Sequence, residues 1–282
     1  MNKTSQSERA LRLKALHERP GAFVIPNPWD VGSARLLAGL GFEALATTSA
    51  GFAHSLGGGD GMVTLQQKLD HIDRLSSAVD LPVSADLENG FSDDPREVAG
   101  TILKAAEAGA VGGSIEDHTR APDHRIYDLE LAVERIHAAV EAARSLDFPF
   151  MLTARAEGLL GSRMDLDGVI RRLRAFETAG ADVLYAPGLK TLADVQEVAA
   201  SLTRPLNVLG YMVGGATHAQ LAEAGAKRIS VGPALSRIAI AALLSAITEI
   251  REKGSFSWAE DVPSGAQVAA LMEQGAPHRD KA

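Results

Sequence analysis

The sequence predicts a (β/α)8 barrel, on three observations. Short apolar runs rich in β-branched residues recur eight times, and helix-period segments separate them. One helix-closing unit also repeats down the chain: Gly39-Leu-Gly-Phe-Glu-Ala-Leu45, Glu107-Ala-Gly-Ala-Val-Gly-Gly-Ser-Ile115, Ala179-Gly-Ala-Asp-Val-Leu184 and Glu223-Ala-Gly-Ala-Lys-Arg-Ile-Ser-Val231. In each, glycine suits the left-handed position that ends a helix, and the apolar residues after it open a strand.

In chain order, the segment up to Glu18 alternates charges with leucines at helical spacing and has neither the apolar stretch nor the cleavage site of a secretory signal. Strands are expected over 23–27, 43–49, 82–88, 112–117, 149–157, 183–187, 206–210 and 228–232. Asp94-Pro95 reads as a helix cap followed by proline at the first helical position, and Asp128 precedes the long helical pattern LELAVERIHAAVEAARSL. A strongly apolar helix from Pro233 to about Arg251 either completes the outer ring or forms an association surface. A second helical piece spans Gly265 to Gln274. A doubly wound sheet would carry a glycine-rich fingerprint after its first strand, and Pro26-Asn-Pro-Trp-Asp30 is nothing like one. The expected organisation is one barrel domain over 1–282, with a C-terminal helical extension from about 252.

Composition narrows the function. The chain has 282 residues, 46% of them apolar and 23% charged, which excludes wholesale disorder. Acidic residues outnumber basic ones 36 to 28, and the net charge of −8 disfavours a nucleic-acid partner. Cysteine is absent, so thiol catalysis, thiolate metal sites and disulfides are excluded, as suits a cytoplasmic protein. The longest uncharged runs, Ala44 to Gly59 and Leu206 to Ala222, are too rich in Gly, Ser, Thr and His to span a bilayer.

Barrel active sites lie where strands end. Three successive strands here end in ionisable groups: Asp86-Leu-Glu88, Glu116-Asp117 and Arg155-Ala-Glu157. Period-two spacing puts Asp86 and Glu88 on one side of their strand, so Asp86, Glu88 and Glu116 are expected to converge. Oxygen ligands without His or Cys suit Mg2+ or Mn2+. Arg155 is then a fork-shaped clamp for a carboxylate or phosphonate. The loop from Thr47 to Gly61 offers backbone N–H groups, hydroxyls and Asp60, without the lysine of a nucleotide loop.

At these residues the chain resembles the isocitrate lyase/phosphoenolpyruvate mutase superfamily: Asn27-Pro-Trp-Asp-Val-Gly-Ser-Ala-Arg35, Thr47-Thr-Ser-Ala-Gly51, Asp86-Leu-Glu-Asn-Gly-Phe91, Ser114-Ile-Glu-Asp117 and Ala154-Arg-Ala-Glu157, in order between about Phe23 and Ala241. The resemblance implies a barrel whose last helix is swapped between subunits of a homodimer or homotetramer. It also implies Mg2+-dependent chemistry on small 2-oxo or 2-hydroxy acids through a pyruvate enolate. On that basis Asp86 is the direct metal ligand, and Glu88 and Glu116 hold the metal directly or through water. Asp60 is a further acid of that shell, Thr48, Ser49 and Ala50 receive the substrate's carboxylate and oxo group, and Arg155 binds its anion.

The family's lyases carry a Lys-Lys-Cys-Gly-His loop after the fourth strand, and its mutases a Lys-Thr-Asn segment. Here the sequence reads His118-Thr-Arg-Ala-Pro-Asp-His-Arg125. Without cysteine, a proton has to come from His118, His124 or water, which favours oxaloacetate-type decarboxylation or a related C–C lyase. C–C or P–C hydrolysis, phosphonomutase chemistry and a non-catalytic 2-oxo-acid binder remain open. A Schiff-base aldolase on Lys190 is disfavoured, because that lysine lies in a loop beyond the sixth strand.

Overall fold

The structure, a computed structural model, describes residues 4–121, 123 and 125–278. Eight parallel strands run in the order β1 (Phe23–Ile25), β8 (Ala226–Ser230), β7 (Leu206–Leu209), β6 (Val183–Tyr185), β5 (Met151–Arg155), β4 (Gly112–Glu116), β3 (Val83–Asp86) and β2 (Leu45–Ala46). The seam between β1 and β2 closes through the Ala46 N–H, which donates to the Pro26 carbonyl at 3.0 Å. Helices alternate with the strands: α2 (Val31–Gly39), α3 (Ser49–Ser55) and α4 (Leu65–Ala78), α5 (Pro95–Glu107), α6 (Leu129–Arg144), α7 (Leu166–Thr178), α8 (Leu192–Ala200) and α9 (His218–Glu223). The expected (β/α)8 barrel is the observed one.

The repeated closing unit works as its chemistry requires. Gly109, Gly180 and Gly225 adopt φ of 100°, 100° and 99°, a backbone that side chains strain. A Cβ on Gly109 would also press to 2.8 Å from the Ser76 side chain. Seven strands lie within their expected ranges with shorter ends, and β8 begins two residues before its expected range. β2 is the extreme case. Thr48 leaves the strand to cap α3, its hydroxyl accepting from the Gly51 N–H at 3.3 Å, so only Leu45 and Ala46 pair.

Two layers of core result. Alternate strand residues such as Ala85, Ile115, Leu152, Ala154 and Leu184 pack outward under the helices. The barrel's lower end is filled from inside by α1 (Gln6–Glu18), whose buried Ala10, Leu13 and Leu16 meet Phe23, Ile25, Met151 and Val183. With the bottom plugged, a cavity can open only at the strands' C-terminal ends.

The helix α10 (Ala234–Lys253) does not complete the outer ring. Only Ser236 on it is buried, while Ile238, Leu243, Leu244 and Ile247 are 52–64% exposed. The chain returns through α11 (Gly265–Gln274), which packs on α2 so closely that a side chain on Gly39 would collide with the Leu271 carbonyl. Among the described residues, no helix is long and apolar enough to cross a membrane.

Candidate active site

Each side chain of the site is placed by the end of a strand. Asp86 terminates β3; its N–H donates to the Thr47 hydroxyl at 2.8 Å, and its carboxylate accepts from the Ser49 N–H at 3.0 Å. Asn27 ties the rim together, its amide donating to the Thr47 carbonyl at 2.9 Å and accepting from the N–H groups of Val231 and Gly232 at 2.9 and 2.8 Å. Glu116 terminates β4, and directly beside it in the parallel register lies Arg155 at the end of β5.

Arg155 is the hub. One guanidinium nitrogen lies 3.3 Å from Asp86 and 2.8 Å from Glu116, and its Nε donates to Glu157 at 2.8 Å. Its ring-like plane stacks on Tyr185, 4.9 Å from the ring centre. Burial opposes the charge, but three carboxylates hold Arg155 protonated well above its ordinary range. Burial pushes Glu157 up to about 7 despite that contact. Glu116 is also buried, yet Arg155 and His118 together hold it down to about 2. The His118 imidazole lies 3.0 Å from Glu116; burial works against its charge, but the carboxylate lifts it to about 9, so it is cationic at neutral pH.

Glu88 lines the same cavity as Asp86 and Glu116, whose charges add to burial in raising its pKa, but strand alternation does not put it there. It lies past the end of β3 with φ of 51°, so the strand alternation that would have aligned the two no longer holds. Its carboxylate turns to Arg120, 2.9 Å away, and its second oxygen is buried without a partner among the described residues. Burial pushes it up to about 7, offset in part by Lys68 and Arg120. Arg120 also donates to the carbonyls of Gly61 and Val63, and stacks on Phe91 with 4.6 Å to the ring centre. The loop after β4 is thereby joined to the loop after α3, and the Thr119 N–H donates to the Arg125 carbonyl at 2.8 Å to fold it back.

Asp60 stands on an exposed turn with its carboxyl at the cavity mouth, where partial burial and the nearby Asp86 raise its pKa. Thr48, Ser49 and Ala50 line the same wall, although the Ser49 N–H is already engaged by Asp86. His124 lies outside the described residues. Together these groups surround one cavity of about 500 Å3.

Among the described residues, no three His, Cys, Asp or Glu side chains gather in a ready-made metal cluster. The donors nevertheless fit a hard cation. Asp60, Asp86 and Glu116 are all-oxygen ligands on one cavity, and the pKa of Asp60 is raised by both of the others, a repulsion a cation would relieve. An ion held here would share Asp86 and Glu116 with Arg155, so part of its coordination would be water.

Sequence reasoning did not single out Tyr185, Asn207, Arg228, Arg120 or Lys68. The first three sit on inward positions of β6–β8, where a polar residue amid an apolar run was the available signal. Lys68 is completely buried on α4 with no hydrogen-bond partner for its ammonium among the described residues, and nothing in its helical pattern sets it apart.

The chain matches the family model of phosphoenolpyruvate phosphomutase over residues 13–251. The crystal structure of a candidate lyase/mutase from Burkholderia cenocepacia J2315 superposes with a TM-score of 0.91 at 54% identity, covering 94% of this chain and 95% of that one. The 2-methylisocitrate lyase of Escherichia coli (strain K12) is 32% identical over 70% of this chain and 68% of its own length. The oxaloacetate decarboxylase of Ectopseudomonas mendocina (strain ymp) is 30% identical over 75% and 73%. Eight parallel strands, a site at their C-terminal ends and these matches agree: the chain belongs to the phosphoenolpyruvate phosphomutase family, within the isocitrate lyase/phosphoenolpyruvate mutase superfamily of lyases and mutases.

Proposed function

We propose that this protein is a Mg2+- or Mn2+-dependent lyase that breaks a C–C bond of a small 2-oxo diacid, with oxaloacetate decarboxylation as the favoured reaction. Divalent-metal use is typical of the superfamily. The carrying observation is the facing of acidic Asp86, Glu116 and Asp60 with Arg155 and His118 across one cavity closed to thiol chemistry.

Asp86 and Glu116 would hold the ion, with Asp60 and Glu88 reached through water. The bound ion would supply Lewis-acid stabilisation of the enolate oxygen that develops as CO2 leaves. Arg155 binds the substrate carboxylate with the face of its guanidinium fixed by Tyr185 and Glu157. His118, charged at neutral pH beside Glu116, is positioned to return a proton to the enolate carbon, a role open also to His124. Arg120 joins the two rim loops beside the cavity.

The reading is tested by offering oxaloacetate, 2-methylisocitrate, other 2-oxo and 2-hydroxy diacids and phosphonopyruvate with Mg2+, and detecting pyruvate and CO2. Oxaloacetate should turn over, EDTA should stop it, and Mg2+ or Mn2+ should restore it. Turnover of phosphonopyruvate alone, or full activity in EDTA, would refute the reading.

The exposed helix α10 belongs to the same proposal. Four large apolar side chains standing in water on one helix form the kind of patch that a second copy covers, and the family resemblance implies helix exchange. Sedimentation should show a dimer or tetramer at micromolar concentration, and Leu243→Glu with Leu244→Glu should dissociate it. A wild-type chain that sediments as a monomer contradicts this.

A further inference from the structure

Strand register places a second row of polar groups in the barrel. Across β4 to β8 the paired residues are Glu116, Arg155, Tyr185, Asn207 and Arg228, so one continuous row runs from the acidic wall to the opposite side. All five line the cavity. The two arginines differ in their surroundings. Arg155 is neutralised by three carboxylates, whereas Arg228 makes no ion pair among the described residues.

Arg228 is 4% exposed. Its Nε donates to the Asn207 side-chain oxygen at 2.7 Å, and the Asn207 amide donates in turn to the Ser230 hydroxyl at 3.0 Å, which orients the pair. One Nη is buried with no hydrogen-bond partner among the described residues. Among the described residues no neighbour supplies the missing negative charge. Burial, with the Arg228 charge adding to it, takes His17 on the plug helix down to about 3, so it is neutral. Burial likewise holds Tyr185 in its protonated form. A guanidinium buried without a counter-ion is costly, and an apolar residue would fill this inward position better. On the facing strands the inward side chains are the small Ala46, Ser84 and Ser114, which leave the cavity open between the two arginines.

We infer that Arg228, held by Asn207, receives the second carboxylate of a dicarboxylic 2-oxo acid whose first carboxylate lies toward Arg155. Selectivity for diacids over monoacids is then set on β7 and β8, away from the rim loops. The inference rests on the proposed 2-oxo-acid reading of the cavity.

Calorimetric titration with Mg2+ present tests it, using oxalate, 2-oxobutyrate, 3,3-difluorooxaloacetate and 2-oxoglutarate as probes. The wild type should bind at least one of the last two 10-fold or more tighter than 2-oxobutyrate. Arg228→Met should erase that advantage while leaving oxalate and 2-oxobutyrate within about twofold, and Arg228→Lys, which keeps the charge, should restore part of it. A diacid preference that survives Arg228→Met overturns the inference. So does a wild type that binds oxalate but shows no diacid preference, a measurement that stands even if the methionine variant fails to fold. Failure of the wild type to bind any probe would instead remove the 2-oxo-acid reading, and this inference with it.

Discussion

Asp86→Ala should abolish divalent-metal binding and lower kcat/KM by about 1,000-fold or more, roughly 4 kcal/mol of transition-state stabilisation. The carboxylate is the best placed of the acids: it meets Arg155, accepts from the Ser49 N–H and adds to burial in raising the Asp60 pKa. Its removal leaves Arg155 with Glu116 and Glu157, so the hub keeps two counter-charges. The main structural loss is the acceptor for the Ser49 N–H, which costs on the order of 1–3 kcal/mol. Mn2+ titration should therefore go flat while the variant still melts cooperatively. Mn2+ binding at wild-type affinity would remove Asp86 from the ligand set.

Arg155→Lys should lower kcat/KM by a similar factor, about 1,000-fold, and should also lower the melting temperature. On sequence grounds this arginine is a substrate clamp; in the structure it is also the counter-ion of Asp86, Glu116 and Glu157 and stacks on Tyr185. A single ammonium cannot reproduce two nitrogens aimed at three carboxylates, so part of the buried negative charge is left unpaired. Arg155→Met, which removes the charge altogether, should cost on the order of 3–5 kcal/mol of stability. Kinetics and melting together separate the two roles: KM should rise for substrates even under conditions where the variant is fully folded. Unchanged kcat/KM in a folded Arg155→Lys protein would leave the arginine a purely structural hub.

The architecture was legible because barrel strands and helices carry local signatures. The glycines at 109, 180 and 225 advertise left-handed backbone in their immediate sequence, and the apolar runs that follow them pair as expected. The acidic strand ends were legible for a similar reason, since an outward helix has no use for Asp86 or Glu116 at that point. Glu88 lines the same cavity as Asp86 and Glu116, but strand alternation does not carry it there, because β3 ends two residues before it and its φ is positive. The fate of α10 was open from sequence, as an apolar helix satisfies the same pattern whether it packs on its own barrel or stands away from it.

By itself the sequence determined the periodic unit, the order of eight strands, the absence of thiol chemistry and the family-like acids at the strand ends. These depend on residues near one another in the chain. Only the tertiary structure decided which charges neutralise which. Arg155 reaches Asp86 across the intervening strand β4, Arg120 reaches Glu88 and Gly61 from a rim loop, and Arg228 is left on the far wall with Asn207 and, among the described residues, no carboxylate. The reason is physical: Coulomb and hydrogen-bond energies depend on separation in space and on burial. Both are set by strand register and barrel closure, which no local pattern encodes.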